Sequence, residues 1–267
     1  MVEVMENKKQ GAVSVITPSI RPKGLEIVAK DLSTQTLKPL EWLICGPEKN
    51  RKIVSETIRN IFPFKYLGNP PLKKGMFWDL NYSYNKLFKN VHGKTIVTWQ
   101  DWIWASPDAL QSFVDSIKRT NGGIIGGVGD QYERIGQWGK PEVKIWSDPR
   151  KTDKYGEFYE SFPSDNEWNF SAFTRDAIFD VGGCCEKLDF TGFGMDGYQV
   201  NERWDALGYK FFLDQMNNSY TVRHDRSKHG GEENWNKNNN LTNGQYEKIR
   251  QEFIDKGEWP RMKYLYT

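Results

Sequence analysis

Apolar residues in the first third of the chain fall into short runs, and the polar stretches between them carry apolar positions three and four residues apart. The run 12–17, AVSVIT, is rich in β-branched residues and ends in Pro18, Ser19, Ile20, Arg21 and Pro22, which predicts a buried strand and a turn. GLEIVAKDLSTQT then places Leu25, Val28, Ala29 and Leu32 on one helical face, and Pro39 marks the turn into a second apolar run, LEWLIC. Strand, helix, strand predicts a βαβ unit and hence a parallel sheet. The alternation continues through the helix-like KNRKIVSETIRNIF, a short strand near 65–67, the loop GNPPLKKG, and a helix over 77–90 with Leu80, Tyr84, Leu87 and Phe88 on one face. That helix feeds TIVTW at 95–99, a further buried strand. Its carboxyl end carries Gln100 and Asp101, at the edge where open α/β sheets bind ligands. Ser106 and Pro107 read as an N-cap and first helical residue, with a helix running over 109–118.

The second half is less periodic. GGIIGGVGDQYE is a glycine-rich strand and bend, and 134–163 is a long polar segment of the kind that is functional or mobile. A strand near 169–173, a helix over 174–181, a glycine turn, a helix over 196–207 and a strand at 210–213 follow, and the polar tail holds a helix near 245–255.

At 267 residues, with 37% apolar and 14% aromatic content, the chain suits one large domain. Thirty-seven Lys and Arg against 35 Asp and Glu leave a formal charge of +2, too small to give a global field for nucleic acid or an anionic membrane. The three cysteines, Cys45, Cys184 and Cys185, make no disulfide framework and point to a reducing compartment. No secretion signal and no transmembrane segment is read in the sequence, so the expected location is cytoplasmic. Most of the eleven tryptophans are expected in the core. The glycine-rich dinucleotide fingerprint is missing after the first strand, and so is a P-loop, which disfavours a dehydrogenase or P-loop nucleotidase.

Four strings in order resemble the GT-A glycosyltransferases of the family 2 type, which are inverting and use nucleotide sugars. They are VSVITPSIRP, LSTQTLKPLEWLI, GMFWDLNYSYNKLFKNVHGKTIV and RDAIFDVGGCCEKLDFTGFGMDGYQVNERWDALGYK. The resemblance implies an α/β, Rossmann-like GT-A fold: a mixed, mostly parallel central sheet flanked by helices in a single domain. It implies a lead-in over 1–10 and a glycosyltransferase domain over 11–229, with a nucleotide-sugar half at 11–118 and an acceptor half at 119–229. A polar, helical extension covers 230–267.

By the same resemblance, Asp101 sits where an Asp-x-Asp motif binds a divalent cation and the sugar nucleotide, Mn2+ or Mg2+ being suited to hard carboxylate oxygens. The motif here reads Gln100, Asp101, Trp102, with Gln100 left to hydrogen-bond ribose. His224 stands where a further metal ligand is common. Asp196 matches the catalytic base of inverting members, with Glu186 and Asp189 as nearby reserves. Arg203, about two helical turns on, is expected on the same face, to contact diphosphate or pair with Asp196. Thr17, Pro18 and Ser19 match the turn that borders base and ribose. Where many members end strand two in an acid that reads uracil, this chain has Cys45, Gly46 and Pro47, and Glu48 is the substitute. Lys73 and Lys74 form a basic loop toward the diphosphate, ahead of the helix that carries Asn81, and WNFS at 168–171 aligns with the acceptor strand.

The expected reaction moves a sugar from a nucleotide-diphosphate sugar to an acceptor hydroxyl, on a glycan or polysaccharide by default. Two alternatives stay open: a hydroxymethylated base in DNA as acceptor, and a non-catalytic domain that binds nucleotide sugar or glycan. A nucleotidyltransferase ranks below both, because SIRPKG has a single glycine.

Overall fold

A computed structural model describes residues 12–74, 76, 79–137, 140–151, 157–191, 196–222 and 244–266, with the backbone alone at 135–137, 141 and 196. In chain order the first half runs β1 (Val13–Pro18), α1 (Leu25–Thr34), β2 (Glu41–Pro47), α2 (Arg51–Ile58), β3 (Lys65–Asn69), α3 (Leu80–Phe88), β4 (Thr95–Trp99), β5 (Ile103–Ala105) and α4 (Ala109–Arg119). The second adds β6 (Ile124–Tyr132), β7 (Ile135–Gln137), β8 (Lys140–Pro141), β9 (Lys144–Ser147), β10 (Phe158–Ser161), β11 (Phe170–Thr174), α5 (Arg175–Asp180), α6 (Asp196–Ala206) and β12 (Phe211–Val222), with a last helix, α7, over 244–255.

The sheet order is β10-β12-β6-β11-β4-β1-β2-β3. Strands β3, β2, β1 and β4 are mutually parallel, β11 runs antiparallel between β4 and β6, and β12 lies parallel to β6. Helices cover both faces, so the central strands are apolar on both sides, as parallel strands must be. Alternate residues go to opposite cores. Val15, Trp42, Ile44, Val97 and Trp99 pack with α1, α2 and α4, while Ile16, Leu43, Cys45 and Ile96 pack with α3, α5 and α6. Of the eight tryptophans described, Trp42, Trp99, Trp104, Trp168 and Trp204 are buried, Trp102 and Trp259 are half-buried and Trp146 is exposed.

Three local outcomes differ from the pattern-based expectation. Helix α4 starts at Ala109 because the Ser106 and Pro107 carbonyls accept bonds from Gln35 and Thr36 of the α1 end, which holds 106–108 as a turn. Strand β12 runs on to Val222, past a register shift between Asp214 and Asn218, and its far end pairs β5. The segment after 244 packs on the body: Tyr246, Phe253 and Met262 close over Cys185 and Leu188, and the Met262 and Leu265 N–H groups bond the Val181 and Gly182 carbonyls.

Asp31, in α1, is buried and accepts the Ala105 N–H at 2.7 Å. Burial pushes its carboxyl up to about 8, against the smaller opposing effect of that bond. A carboxyl whose pKa rises on folding contributes stability that is full below its unfolded value and is lost as pH rises toward the folded one. Asp31→Asn keeps an acceptor oxygen and cannot ionise. Urea unfolding above pH 8 should find the variant more stable than wild type by at least about 1.4 kcal/mol, one pKa unit's worth, with the advantage shrinking toward pH 4.

Candidate active site

The carboxyl ends of β1, β2 and β4 meet at one edge. Pro18 lies opposite Cys45 in register, and the Ser19 N–H donates to the Cys45 carbonyl at 2.8 Å. Gly46 makes that approach possible, since a Cβ there would stand 2.1 Å from the Ser19 carbonyl oxygen. Thr17 is buried, donating to the Trp99 carbonyl at 2.6 Å and accepting the Trp42 indole N–H at 2.9 Å. Its hydroxyl therefore sets the spacing of the strand tips.

Asp101 stands just beyond β4 with 2% of its side chain exposed. Its Oδ2 accepts the Ser19 hydroxyl at 2.5 Å and Arg21 Nε at 3.2 Å, and Arg21 Nη2 is paired with Oδ1. Trp102 follows at φ +68°, a left-handed conformation unusual for a bulky residue. Its N–H donates to the Gly24 carbonyl and its own carbonyl accepts from Val222, so the tip is clamped between the first loop and the end of β12. Gly24 gives the indole its space, as a Cβ there would meet Trp102 Cδ1 at 2.4 Å.

The described residues at this tip do not fit a divalent cation. A Mn2+ or Mg2+ ion at a nucleotide site is octahedral and uses one or two carboxylates that are open to it, its other positions going to phosphate and water. Here the carboxylate is held by an arginine and a serine, a cation would have to displace Arg21, and among the described residues no three His, Cys, Asp or Glu side chains cluster. His224 lies outside the described residues.

Beside the tip opens a cleft of about 260 Å³, walled by Gln100, segment 163–169 and the start of α6. Asn201 knits its floor, accepting the Trp168 indole N–H at 3.3 Å and donating to the Pro163 and Asn166 carbonyls at 2.9 and 2.7 Å. Gly197 faces the Trp168 ring, and Tyr198 is 53% exposed at the mouth. Glu167 lines the cleft, accepts from Asn169 at 2.9 Å and lies 3.8 Å from Arg150, which also bonds Asp148 and the Asp165 carbonyl. The Gln100 N–H donates to the Asn169 carbonyl at 3.0 Å, which joins the cleft to the Asp101 tip. Asp196 opens α6 one residue before Gly197 and so heads the helix that forms this wall.

The remaining expected site residues have other partners or none that reach the Asp101 tip among the described contacts. Arg203 is fully buried and donates to the carbonyls of Val181 (2.8 Å), Gly183 (2.5 Å) and Gln199 (3.1 Å) and to Gln199 Oε1 (2.7 Å), so it faces the glycine turn and not a diphosphate. Burial draws its guanidinium below the usual arginine range. Asn81 is also buried, its amide and N–H both donating to Asp189 at 2.9 Å. Burial pushes Asp189 up to about 7, with the Tyr82 and Asn81 bonds opposing, and its oxygens cap α3. Glu186 accepts from Asn85 at 2.8 Å. Glu48 is exposed and paired with Arg51, whose hydrogen bond holds its carboxyl below the ordinary range. Lys74 lies in an exposed turn.

The edge thus gathers Thr17, Pro18, Ser19, Gln100 and Asp101, with Glu48 just past the end of β2 and held by Arg51, while Asn81 and Arg203 are buried among other partners. Arg21, Glu167, Tyr198 and Asn201 are additions. Their only sequence signals are a basic residue in the first loop and polar residues flanking the WNFS strand and heading the helix after it.

No family model matches this sequence, and no curated protein does. Solved structures do. S. aureus TarS residues 1–349 superposes with a TM-score of 0.52 at 13% identity, over 79% of this chain and 60% of that one. The same fragment in complex with UDP gives 0.52 at 12% identity, again over 79% and 60%. A longer TarS structure gives 0.51 at 13%, over 79% and 37%. The chain thus spans about 60% of the length of the TarS fragment. Strand order, the edge formed by β1, β2 and β4, and this likeness agree on one architecture: the chain has the Rossmann-like GT-A fold, a glycosyltransferase-type fold.

Proposed function

We propose that the chain is an inverting glycosyltransferase that moves a sugar from a nucleoside diphosphate sugar to a hydroxyl of a glycan held in the cleft. The observation that carries this reading is that the α6 start, headed by Asp196, and Gln100, the neighbour of Asp101, line one cleft. Donor and acceptor would then meet at residues 100–101. The acceptor oxygen attacks the anomeric carbon as the bond from that carbon to the diphosphate oxygen breaks on the far face. Asp196 takes the hydroxyl proton, and the configuration inverts. The UDP complex of TarS favours a UDP-sugar as donor.

The cleft wall supports a neutral, hydroxyl-rich acceptor. Its described lining carries amides from Gln100, Asn166, Asn169 and Asn201, the carboxylate of Glu167 and no lysine or arginine. A DNA acceptor would call for basic residues against phosphate. No described helix is long and apolar enough to cross a membrane, and a cytoplasmic enzyme remains our reading.

The test is nucleotide release from UDP-, GDP-, dTDP- and CMP-sugars with oligosaccharide acceptors, with the anomeric product followed by NMR. Inverted product from one donor supports the reading. Donor binding without transfer to any acceptor supports a binding domain instead. Tyr198→Ala removes the exposed ring at the cleft mouth, so the acceptor KM should rise about 2- to 10-fold, with kcat and the donor KM nearly unchanged.

A further inference from the structure

The solvent side of the Asp101 tip presents a guanidinium. Asp101 has 2% of its side chain exposed and Arg21 has 23%. A short ring of hydrogen bonds fixes the arginine. Its own backbone N–H donates to Ser19 Oγ at 3.1 Å, the Ser19 hydroxyl donates to Asp101 at 2.5 Å, and Asp101 accepts the Nε–Nη2 edge of Arg21. The Arg21 carbonyl accepts the Gly24 N–H at 3.0 Å, which closes the turn that carries it. With the Nε–Nη2 edge turned to the carboxylate, planar geometry directs the Nη1 corner away from Asp101, where it can donate to a second group.

We infer that Arg21 takes the part a divalent cation plays in a carboxylate-rich site: a fixed positive group at the carboxyl edge that contacts the diphosphate of the nucleotide sugar without metal. Asp101 is then a positioning residue that aims Arg21. This rests on the nucleoside diphosphate reading above and deepens it. Asp101 neutralises much of the long-range field of Arg21, so the contribution is made at contact distance, through charge-assisted hydrogen bonds that a guanidinium forms well with phosphate. As the bond between the anomeric carbon and the diphosphate oxygen breaks, its electron pair stays with the diphosphate. A donor already in place stabilises that charge without reorganising.

The test measures binding, on the full chain, in two ways. UDP, GDP, ADP and dTDP are titrated calorimetrically in EDTA and in Mn2+, and Mn2+ uptake by the protein is followed by the EPR signal of the free ion. Wild type should bind its nucleoside diphosphate equally in EDTA and Mn2+, within about twofold, and leave the Mn2+ signal undiminished. Arg21→Gln should weaken binding by about tenfold or more, with Arg21→Lys in between, because the point charge survives and the fork does not. Asp101→Asn, which keeps an acceptor for Arg21, should weaken binding while leaving it indifferent to Mn2+. Circular dichroism confirms that each variant is folded. Binding that disappears in EDTA and returns with Mn2+, or that survives intact in Arg21→Gln, overturns the inference and leaves the glycosyltransferase reading standing. A chain that binds none of the four diphosphates overturns both.

Discussion

Asp196→Asn is expected to lower transfer by about 10²- to 10⁴-fold, the range that a positioned general base supplies. The substitution separates two roles that an aspartate at a helix start can play. Asparagine caps a helix as well as aspartate does, so a residue that only caps α6 would tolerate the change. A base would not, because the amide takes no proton at neutral pH. The prediction is therefore a large loss in kcat with thermal unfolding nearly unchanged. Glu167 supplies the control, being the carboxylate described on the cleft wall. Glu167→Gln should leave most of kcat in place; if it removes kcat and Asp196→Asn does not, the base is Glu167. Asp189 and Glu186 are weaker candidates, since each already accepts hydrogen bonds from α3.

The second large effect is on stability. Arg203→Met should cost about 3–5 kcal/mol, because it removes a buried cation whose donors serve three backbone carbonyls and the Gln199 side chain, and leaves those acceptors dry. At about 2–4 °C per kcal/mol for a chain of this size, the melting temperature should fall by about 10 °C. Methionine fills much of the volume, so the loss reports the hydrogen bonds more than a cavity. Calorimetry is the direct check, and a change below about 1 kcal/mol would remove Arg203 from the scaffold. A stability loss accompanied by normal nucleotide affinity would also agree with its distance from the Asp101 tip.

The parallel half of the fold was legible because strands buried on both faces must be written as unbroken apolar runs. β1, β2 and β4 are such runs, and each helix between them shows an apolar face. The second half was less so. Strand β5 and the far end of β12 are joined by pairings such as Ser219 with Ala105 and Tyr220 with Trp104, far apart in the chain. The polar bulge after Asp214, a residue whose carboxylate accepts the Ser112 and Ser116 hydroxyls of α4, reads locally as a strand end. The site divides in the same way. Thr17, Ser19 and Asp101 could be placed because strand tips are predictable. The use of Arg21 could not, because its partner lies 80 residues away. Helical spacing gave Arg203 a face but not a depth, and the resemblance gave Asn81 a helix but no partner; both turn inward, onto the glycine turn and Asp189.

Gly46 bears on how this binding edge can be altered. The Ser19 carbonyl occupies the space where any side chain at position 46 would begin, so the acid that the resemblance puts near the end of strand two cannot be restored there by one substitution. Ser19 also shares the ring that aims Arg21. A side chain at 46 would push on Ser19 and, through it, on the Arg21–Asp101 pair. A substitution that spares this ring has to be made away from position 46.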